Sequence, residues 1–203
     1  MKVAIIGAGN VGRALATSIT RAGHDVTIAA KNPEHAKAAA DEIGATSADS
    51  NASAVVDADV VILAIPYSAD QQVADDIRDQ VTGKAIIDVS NPIKPDFSGL
   101  ATDGTSAAEE LQKRLPDASV VKAFNTLFAS NQANPTREVD GFVAADDEKA
   151  KQTVISLVES MGFTPLDVGS LSSARFLEGM AFINIGLNAQ NGWSWTSAWK
   201  LER

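Results

Sequence analysis

The first twelve residues of the chain, Met1 to Gly12, read M-K-V-A-I-I-G-A-G-N-V-G and decide its fold. Lys2 to Ile6 is a short apolar run with Val and Ile, which predicts a buried parallel strand. Gly7, Gly9 and Gly12 follow at once with the spacing G-x-G-x-x-G. A glycine-rich turn directly after a strand is typical of dinucleotide binding when a helix comes next.

Each glycine of this turn has a mechanical role. Gly7 permits the tight turn, Gly9 lets the backbone approach a pyrophosphate, and Gly12 lets a helix pack close to the strand. The pattern from Val11 to Ala22 predicts that helix, and its free N–H groups and positive dipole end would face the phosphates. The alternative is a glycine-rich turn with a purely structural role.

Composition and charge exclude several classes of function. The chain has 203 residues and 45% of them are hydrophobic, which is ample for one buried core. A net charge of −9 argues against general binding to nucleic acids or anionic membranes. There is no cysteine and there are only two histidines, so thiol chemistry and a histidine-rich metal centre are excluded. No apolar run reaches about 18 residues and the first strand starts at residue 2, so we expect a cytoplasmic protein without a signal peptide, membrane span or metal site.

The end of the predicted second strand, Asp25 to Ala29, bears on the choice of dinucleotide. NAD-selective sites usually place Asp or Glu there for the ribose 2′-hydroxyl, whereas NADP-selective sites drop the acid and supply a cation. The sequence here is Ala29-Ala30-Lys31, and no acid follows until Glu34. NADP(H) is therefore favoured. The side chains that could reach a 2′-phosphate are Lys31, Asn32 and His35, unless they are ordinary solvated turn residues.

Strands and helices alternate along the first 124 residues, which predicts a doubly wound parallel sheet with helices on both faces. This is a Rossmann-type α/β fold. The later predicted strands are Ala45–Ser47, Asp59–Ile65, Lys84–Val89 and Ser119–Phe124, and the predicted helices are Pro33–Ile43, Ser50–Val56, Ala69–Gln80 and Ala107–Leu115. Residues 93–106 lack periodicity, which predicts a mobile loop that is either a lid or a plain surface excursion.

Residues 141–203 are predicted to extend the same single domain. Gly141–Ala145 and Phe163–Val168 have the pattern of strands, and Asp147–Met161 that of an amphipathic helix. The tail contains all three tryptophans, Trp193, Trp195 and Trp199, and such a cluster more often anchors packing or an interface than binds a ligand.

The last predicted helix, Ser172 to Ala189, has an apolar face too wide to remain in water. It must be buried either in the core of its own chain or against a second copy, and we expect a homodimer. Its apolar residues are Phe176, Leu177, Met180, Ala181, Ile183, Ile185 and Leu187.

Ligands of a doubly wound sheet bind outside the carboxyl ends of its strands. The loops that leave those ends should ring one crevice, with the pyrophosphate at the first and the nicotinamide and hydride acceptor at the others. Candidate contacts in the later loops are Ala64, Ile65, Pro66, Asn91 and Asn125. The only tyrosine is Tyr67, so no Tyr-x-x-x-Lys pair exists, and we predict no catalytic residue. A hydride transfer between two cofactors is consistent with this lack of acid–base residues, because the protein then needs only to align the cofactors.

Six segments carry a resemblance that covers the chain from Met1 to about Leu187. They read I-I-G-A-G-N-V-G, V-I-L-A-I-P, I-I-D-V-S-N-P, V-V-K-A-F-N-T-L-F-A, G-F-V-A-A-D-D-E and L-D-V-G-S-L-S-S-A-R-F-L-E. Together and in this order they resemble the NADPH-dependent coenzyme F420 reductase family, whose small enzymes pass hydride between NADPH and a deazaflavin. The cytoplasmic domain of the STEAP metalloreductases is also similar.

The resemblance implies roles for individual residues. It assigns the pyrophosphate to Gly9, Asn10, Val11 and Gly12, the 2′-phosphate to Ala30, Lys31 and His35, the nicotinamide ribose to Ile65 and Pro66, and the nicotinamide end to Ala129. Three departures stand out. The phosphate clamp keeps one fixed positive charge, Asn125 replaces a histidine, and the tail from Asn188 does not resemble the deazaflavin-contacting C-terminus of the family.

The resulting hypothesis is an NADPH-dependent oxidoreductase with coenzyme F420 or a flavin as the hydride acceptor. Two alternatives stay open: a reductase of a small imine or carbonyl compound, and a dinucleotide-binding sensor without turnover. Asn125 cannot carry charge, so either the charge of a reduced deazaflavin is met elsewhere, with Arg175 the nearest candidate by sequence, or F420 is not the acceptor. The ordinary interpretation of Arg175 is a surface pair with Glu178 one turn on.

Overall fold

An eight-stranded sheet organises the computed structural model, which describes residues 1–202. Its strands are β1 (Lys2–Ile6), β2 (Asp25–Ala29), β3 (Thr46–Ser47), β4 (Val60–Leu63), β5 (Ala85–Asp88), β6 (Ser119–Ala123), β7 (Asp140–Ala145) and β8 (Thr164–Asp167). The helices are α1 (Asn10–Arg21), α2 (Pro33–Ile43), α3 (Asn51–Val55), α4 (Asp70–Ile77), α5 (Ala107–Arg114), α6 (Ala129–Ala133), α7 (Glu148–Met161) and α8 (Ala174–Asn191).

The strand order is β3-β2-β1-β4-β5-β6-β7-β8. Every neighbouring pair is parallel except β6 and β7, which are antiparallel. The strand order reverses between β1 and β4, which is where a doubly wound sheet binds its ligands. The predicted Rossmann-type fold is confirmed, with one antiparallel step that the sequence did not predict.

Both faces of the sheet are covered, because side chains alternate across each strand. In β1, Val3 and Ile5 join the core beneath α1, α2 and α7, whereas Ala4 and Ile6 join the core beneath α3, α4 and α5. All four residues are buried, which is why the strand reads as one continuous apolar run. A third, smaller core lies between the β7–β8 edge of the sheet and α8.

Most predicted boundaries differ from the structure by one or two residues, and β1, β2 and α2 match. The helix predicted over residues 69–80 is interrupted, since short 3₁₀ turns at Tyr67–Ala69 and Arg78–Gln80 flank α4. The five-residue helix α6 was not predicted at all, because a segment this short carries no clear periodicity.

The apolar face of α8 is divided between two environments. Leu177 and Ala181 are buried against the sheet. Phe176, Ile183 and Leu187, by contrast, have exposed fractions of 74%, 54% and 38%. Burial of the whole face in the core of its own chain is therefore wrong, and the homodimer stays a prediction.

The tail after α8 returns across the molecule. Trp195 packs edge-on against Phe128, with ring centroids 5.4 Å apart, and Trp199 packs against the third core. The main chain at Trp195 and Thr196 accepts hydrogen bonds from the side chains of residues 130 and 131 in α6. The prediction that these tryptophans anchor packing is confirmed for Trp195 and Trp199.

Residues 93–106 form the longest connection on the carboxyl side of the sheet. A single bridge joins Ile93 to Leu100, and Phe97 at the tip is exposed with a φ of 57°. The mobility of this loop and its role as a lid stay predictions. Among the helices of residues 1–202, none is long and apolar enough to cross a membrane.

Candidate functional site

The turn between β1 and α1 has the close contacts that its glycines predict. Gly7 has a φ of 116°, and a Cβ there would collide with the carbonyl oxygen of Ala64. A Cβ at Gly12 would collide with the carbonyl oxygen of Gly7. Gly9, in contrast, faces open space, so a ligand can approach its main chain closely.

The first turn of α1 fits a pyrophosphate. The helix begins at Asn10, with Gly9 as an N-cap that makes no side-chain capping bond, and no acidic residue stands in its first turn. The first N–H groups of a helix have no partner within it, and the helix dipole adds positive potential at the same place. The geometry is that of an anion site, as predicted for the residues from Gly9 to Gly12.

The polar turn after β2 lies at the neighbouring strand end. Lys31 and His35 are exposed there, and Lys31 forms no ion pair with any residue from 1 to 202. Asn32 is the N-cap of α2, and its side-chain oxygen accepts a 3.0 Å hydrogen bond from the Glu34 N–H. That oxygen is engaged by the helix, so Lys31 and His35 are the freer candidates for a 2′-phosphate; Ala30 is half-buried beside them.

A cavity of about 180 Å³ lies beside the glycine-rich turn before α1. Four predicted site residues meet in its wall: Val11, Asn91, Asn125 and Ala129. The remaining lining residues are Val89, Thr126, Leu127, Phe128, Gln132, Ala181, Asn184 and Ile185. The cavity therefore joins the ends of β5 and β6 to α6 and α8, which is where a nicotinamide and its hydride acceptor would meet.

The predicted contacts Ala64, Ile65 and Pro66 do not line this cavity. The carbonyl oxygen of Ala64 lies against Gly7, and Ile65 packs against the second core, whereas Pro66 is exposed. Their contact with a nicotinamide ribose stays a prediction.

The cavity wall contains no ionisable side chain. Its polar groups are the hydroxyl of Thr126 and the amides of Asn91, Asn125, Gln132 and Asn184. Gln132 and Asn184 were not predicted, since an amide on a helix is usually solvated and nothing in the sequence separates these two from the others. The wall can hold and orient a ring by hydrogen bonds, but it offers no group that exchanges a proton near neutral pH.

A buried ion cluster lies next to the strand ends whose loops line the cavity. Lys122 on β6 has no exposed surface, and its Nζ lies 2.8 Å from Asp88 Oδ2, 2.8 Å from Glu178 Oε1 and 2.6 Å from the carbonyl oxygen of Ser90. Burial alone would lower the pKa of Lys122, but the carboxylates of Asp88 and Glu178 raise it above its ordinary value. The ammonium is therefore charged, and it fixes α8 to the strand ends that carry the cavity.

The cluster was missed from the sequence, although a signal exists. Lys122 and Asp88 are charged residues inside apolar strands, in V-V-K-A-F and I-I-D-V, and they stand directly opposite each other in the β5–β6 register. Glu178 also accepts from the Ala107 N–H at 3.0 Å, so it holds the start of α5 as well.

The expected pair between Arg175 and Glu178 is wrong. Arg175 makes a two-point contact with Glu109, with Nε to Oε2 at 2.7 Å and Nη2 to Oε1 at 2.6 Å. Glu178 is buried on Lys122 instead. Since Arg175 does not line the cavity and its guanidinium is already paired, it is a poor candidate for meeting the charge of a reduced ring.

Asp70, the first residue of α4, is a buried carboxyl beside this cluster. It is 1% exposed, and neither of its oxygens has a hydrogen-bond partner among residues 1–202. Burial, and then the charge of Asp88, raise the pKa of Asp70 to about 7. The carboxyl of Asp70 is therefore partly protonated near neutral pH.

Comparison with known proteins extends these findings. The sequence profile of the family described as NADP oxidoreductase, coenzyme F420-dependent, matches residues 2–92, which span β1 to β5 and the loop after it. The F420-dependent NADP reductase of Methanothermobacter thermautotrophicus is 34% identical, over 94% of this chain and 90% of that protein.

The chain is also similar to a metalloreductase and to a solved structure. The metalloreductase STEAP3 of Rattus norvegicus is 34% identical over 87% of this chain, which spans only 36% of the length of STEAP3. A solved structure from Arthrobacter sp. FB24, provisionally named an F420-dependent NADP reductase, superposes with a TM-score of 0.91 at 26% identity and covers all of both chains.

The glycine-rich turn before α1, the cavity at the strand ends and the extent of these matches agree with one another. The chain therefore belongs to the family of F420-dependent NADP oxidoreductases, and it is an NADPH-dependent oxidoreductase.

Proposed function

We propose that this protein transfers hydride between NADPH and a deazaflavin of the coenzyme F420 type. The observation that carries the proposal is the cavity wall, which has hydrogen-bonding amides and apolar side chains but no ionisable group. Reduction of a carbonyl or imine usually needs a proton donor at the reacting heteroatom. Hydride transfer to a ring carbon does not need one at that carbon, so aligned rings suffice.

The site residues have complementary tasks in this proposal. The main chain from Gly9 to Gly12 binds the pyrophosphate, and Lys31 with His35 binds the 2′-phosphate. NADPH, when bound, supplies the hydride. Asn91, Asn125 and Ala129 hold the nicotinamide end in the cavity, and Phe128 gives the acceptor ring an apolar surface that Trp195 supports from behind.

The acceptor is tested by following the oxidation of NADPH with coenzyme F420, FMN and FAD offered separately. We expect turnover with F420 and much slower reaction with the two flavins. Turnover of a small imine or carbonyl compound without F420 turnover would contradict the proposal. Cofactor binding without oxidation by any acceptor would favour a dinucleotide sensor.

We also propose that the protein is a homodimer through α8. Phe176, Met180, Ile183 and Leu187 recur at helical spacing along one stripe, and three of the four are exposed. An apolar stripe of this length on a helix is typical of an interface between subunits.

A further inference from the structure

Gln132 is a buried amide next to the cavity, and its partners fix its orientation. The residue is 1% exposed, and its Nε2 lies 3.1 Å from the carbonyl oxygens of both Phe124 and Leu127. Main-chain carbonyl oxygens only accept hydrogen bonds, so the amide nitrogen must face them. The two bonds close the loop that leaves β6.

That loop begins with a strained residue. Phe124 has a φ of 62°, in the left-handed region that bulky side chains rarely adopt, and it is buried. Such a conformation persists only where its surroundings hold it. Besides the Leu127 N–H at 3.1 Å, the amide of Gln132 is the group that holds the Phe124 carbonyl.

The strained loop places Asn125 in the cavity wall. Asn91 Nδ2 donates to the main-chain oxygen of Asn125 at 3.0 Å, and Asn125 Nδ2 donates to Asn91 Oδ1 at 2.9 Å. Because the main-chain oxygen of Asn125 only accepts, the nitrogen of the Asn91 amide must face it, and the Asn91 oxygen then faces the nitrogen of the Asn125 amide. The oxygen of the Asn125 side chain, Oδ1, is left as a buried acceptor. Within residues 1–202 no donor reaches that oxygen or the Oε1 of Gln132.

Two acceptors without donors call for a ligand that brings N–H groups. A primary carboxamide, such as that of nicotinamide, brings two of them on one nitrogen. The imide N–H of a flavin-like ring brings a single donor flanked by two carbonyl oxygens, which would face the second acceptor unfavourably. The nicotinamide carboxamide is therefore the better match.

We propose that Gln132 is a positioning residue that holds the strained loop from Phe124 to Leu127, so that Asn125 accepts a hydrogen bond from the carboxamide of NADPH. The inference rests on the proposed binding of the nicotinamide in this cavity. It assigns to Gln132 and Asn125 the preference of the site for a carboxamide at the pyridine ring, whichever acceptor receives the hydride.

The test compares the binding of NADP with that of two analogues. The thionicotinamide analogue keeps both N–H groups, whereas the acetylpyridine analogue replaces the amino group by methyl. We expect the wild type to bind NADP and the thionicotinamide analogue with similar affinity, and the acetylpyridine analogue roughly tenfold to a hundredfold more weakly. Asn125→Ala should remove this preference, and Gln132→Met, which fills the same volume without a donor, should remove most of it.

The ratio of dissociation constants separates positioning from stability, because a partly unfolded variant loses all three ligands equally. Gln132→Glu provides a second variant of unchanged size, in which a carboxylate faces the two carbonyl oxygens. Asn134→Ala is the matched control, since that residue lies in the same connection and, within residues 1–202, its side chain donates only to the Ser130 carbonyl. It should keep the wild-type ratio.

Retention of the wild-type preference by folded Gln132→Met or Gln132→Glu would overturn the positioning role. Equal binding of all three ligands by the wild type would overturn the carboxamide contact. A wild type that binds none of them would overturn both this inference and the proposed function, whereas failure of F420 turnover with the preference intact would overturn only the latter.

Discussion

At the scale of single residues, we expect Lys31 to decide how strongly the site prefers NADP. It is exposed at the end of β2, where the sequence has no acid to bind a ribose hydroxyl. A charge-assisted contact to phosphate is worth about 1.5–3 kcal/mol, or roughly tenfold to a hundredfold in affinity. Lys31→Ala should weaken NADPH binding by this factor and leave NADH binding nearly unchanged. Calorimetric titration measures both, with Lys37→Ala, which changes another exposed lysine, in α2, as the control. Equal loss for the two cofactors would contradict the assignment.

Asp70 provides a prediction about pH. Its folded-state pKa of about 7 lies above the ordinary value of 3.8, so the folded state holds a proton that the unfolded chain releases first. Its contribution to stability is therefore complete below about pH 4 and is lost as the pH rises to about 7 and beyond. Asp70→Asn removes this titration. The variant should gain stability relative to the wild type as the pH rises, by a margin on the order of 4 kcal/mol at pH 8.

Urea unfolding at a fixed protein concentration from pH 4 to pH 8 tests this prediction, since only the difference between the two proteins is compared. A constant difference over that range would mean that Asp70 is ionised throughout, and that the cluster around Lys122 accommodates the extra charge.

At the scale of secondary-structure elements, the ion cluster attaches α8 to the sheet. Lys122→Met leaves Asp88 and Glu178 buried without their counter-ion, and removal of one partner from a buried pair costs about 3–5 kcal/mol. Glu178→Gln keeps an acceptor for Lys122 and for the Ala107 N–H, so it should cost less. Hydrogen exchange should accelerate in α8 of Lys122→Met, with α1 as the internal reference. Unchanged exchange in α8 would show that its apolar contacts suffice.

At the scale of the whole molecule, the exposed stripe of α8 predicts a dimer. Burying side chains such as Phe176 and Ile183 is worth about 1.5–3 kcal/mol each, so one charge at the centre should weaken association strongly. We expect Ile183→Asp to be monomeric at micromolar concentration in light scattering, and the wild type to be dimeric. Val56→Asp changes an isolated exposed apolar residue and is the control. A monomeric wild type would contradict the interface.

Much of the fold followed from local sequence. The run Lys2–Ile6 with Gly7, Gly9 and Gly12 predicts a strand, a turn and a helix within twelve residues, because a strand that ends in this glycine spacing is a local signal of that unit. The contact of Gly12 with Gly7 lies inside the unit, whereas Gly7 is packed against Ala64. The apolar strands and the periodicity of the helices predict the layers for the same reason. The antiparallel step between β6 and β7 did not follow, since the apolar pattern of a strand does not encode its direction.

Some features of the candidate site could likewise be predicted from local sequence, and others could not. The sequence by itself determined the glycine-rich turn after β1 and the lysine that follows β2, because each is built from neighbouring residues at a single strand end. Only the tertiary structure decided that Gln132 and Asn184 line the cavity, that Lys122 pairs with Glu178 and that Arg175 pairs with Glu109. These contacts join residues far apart in the chain, and their existence depends on strand order and helix packing, which place side chains together without leaving a local pattern in the sequence.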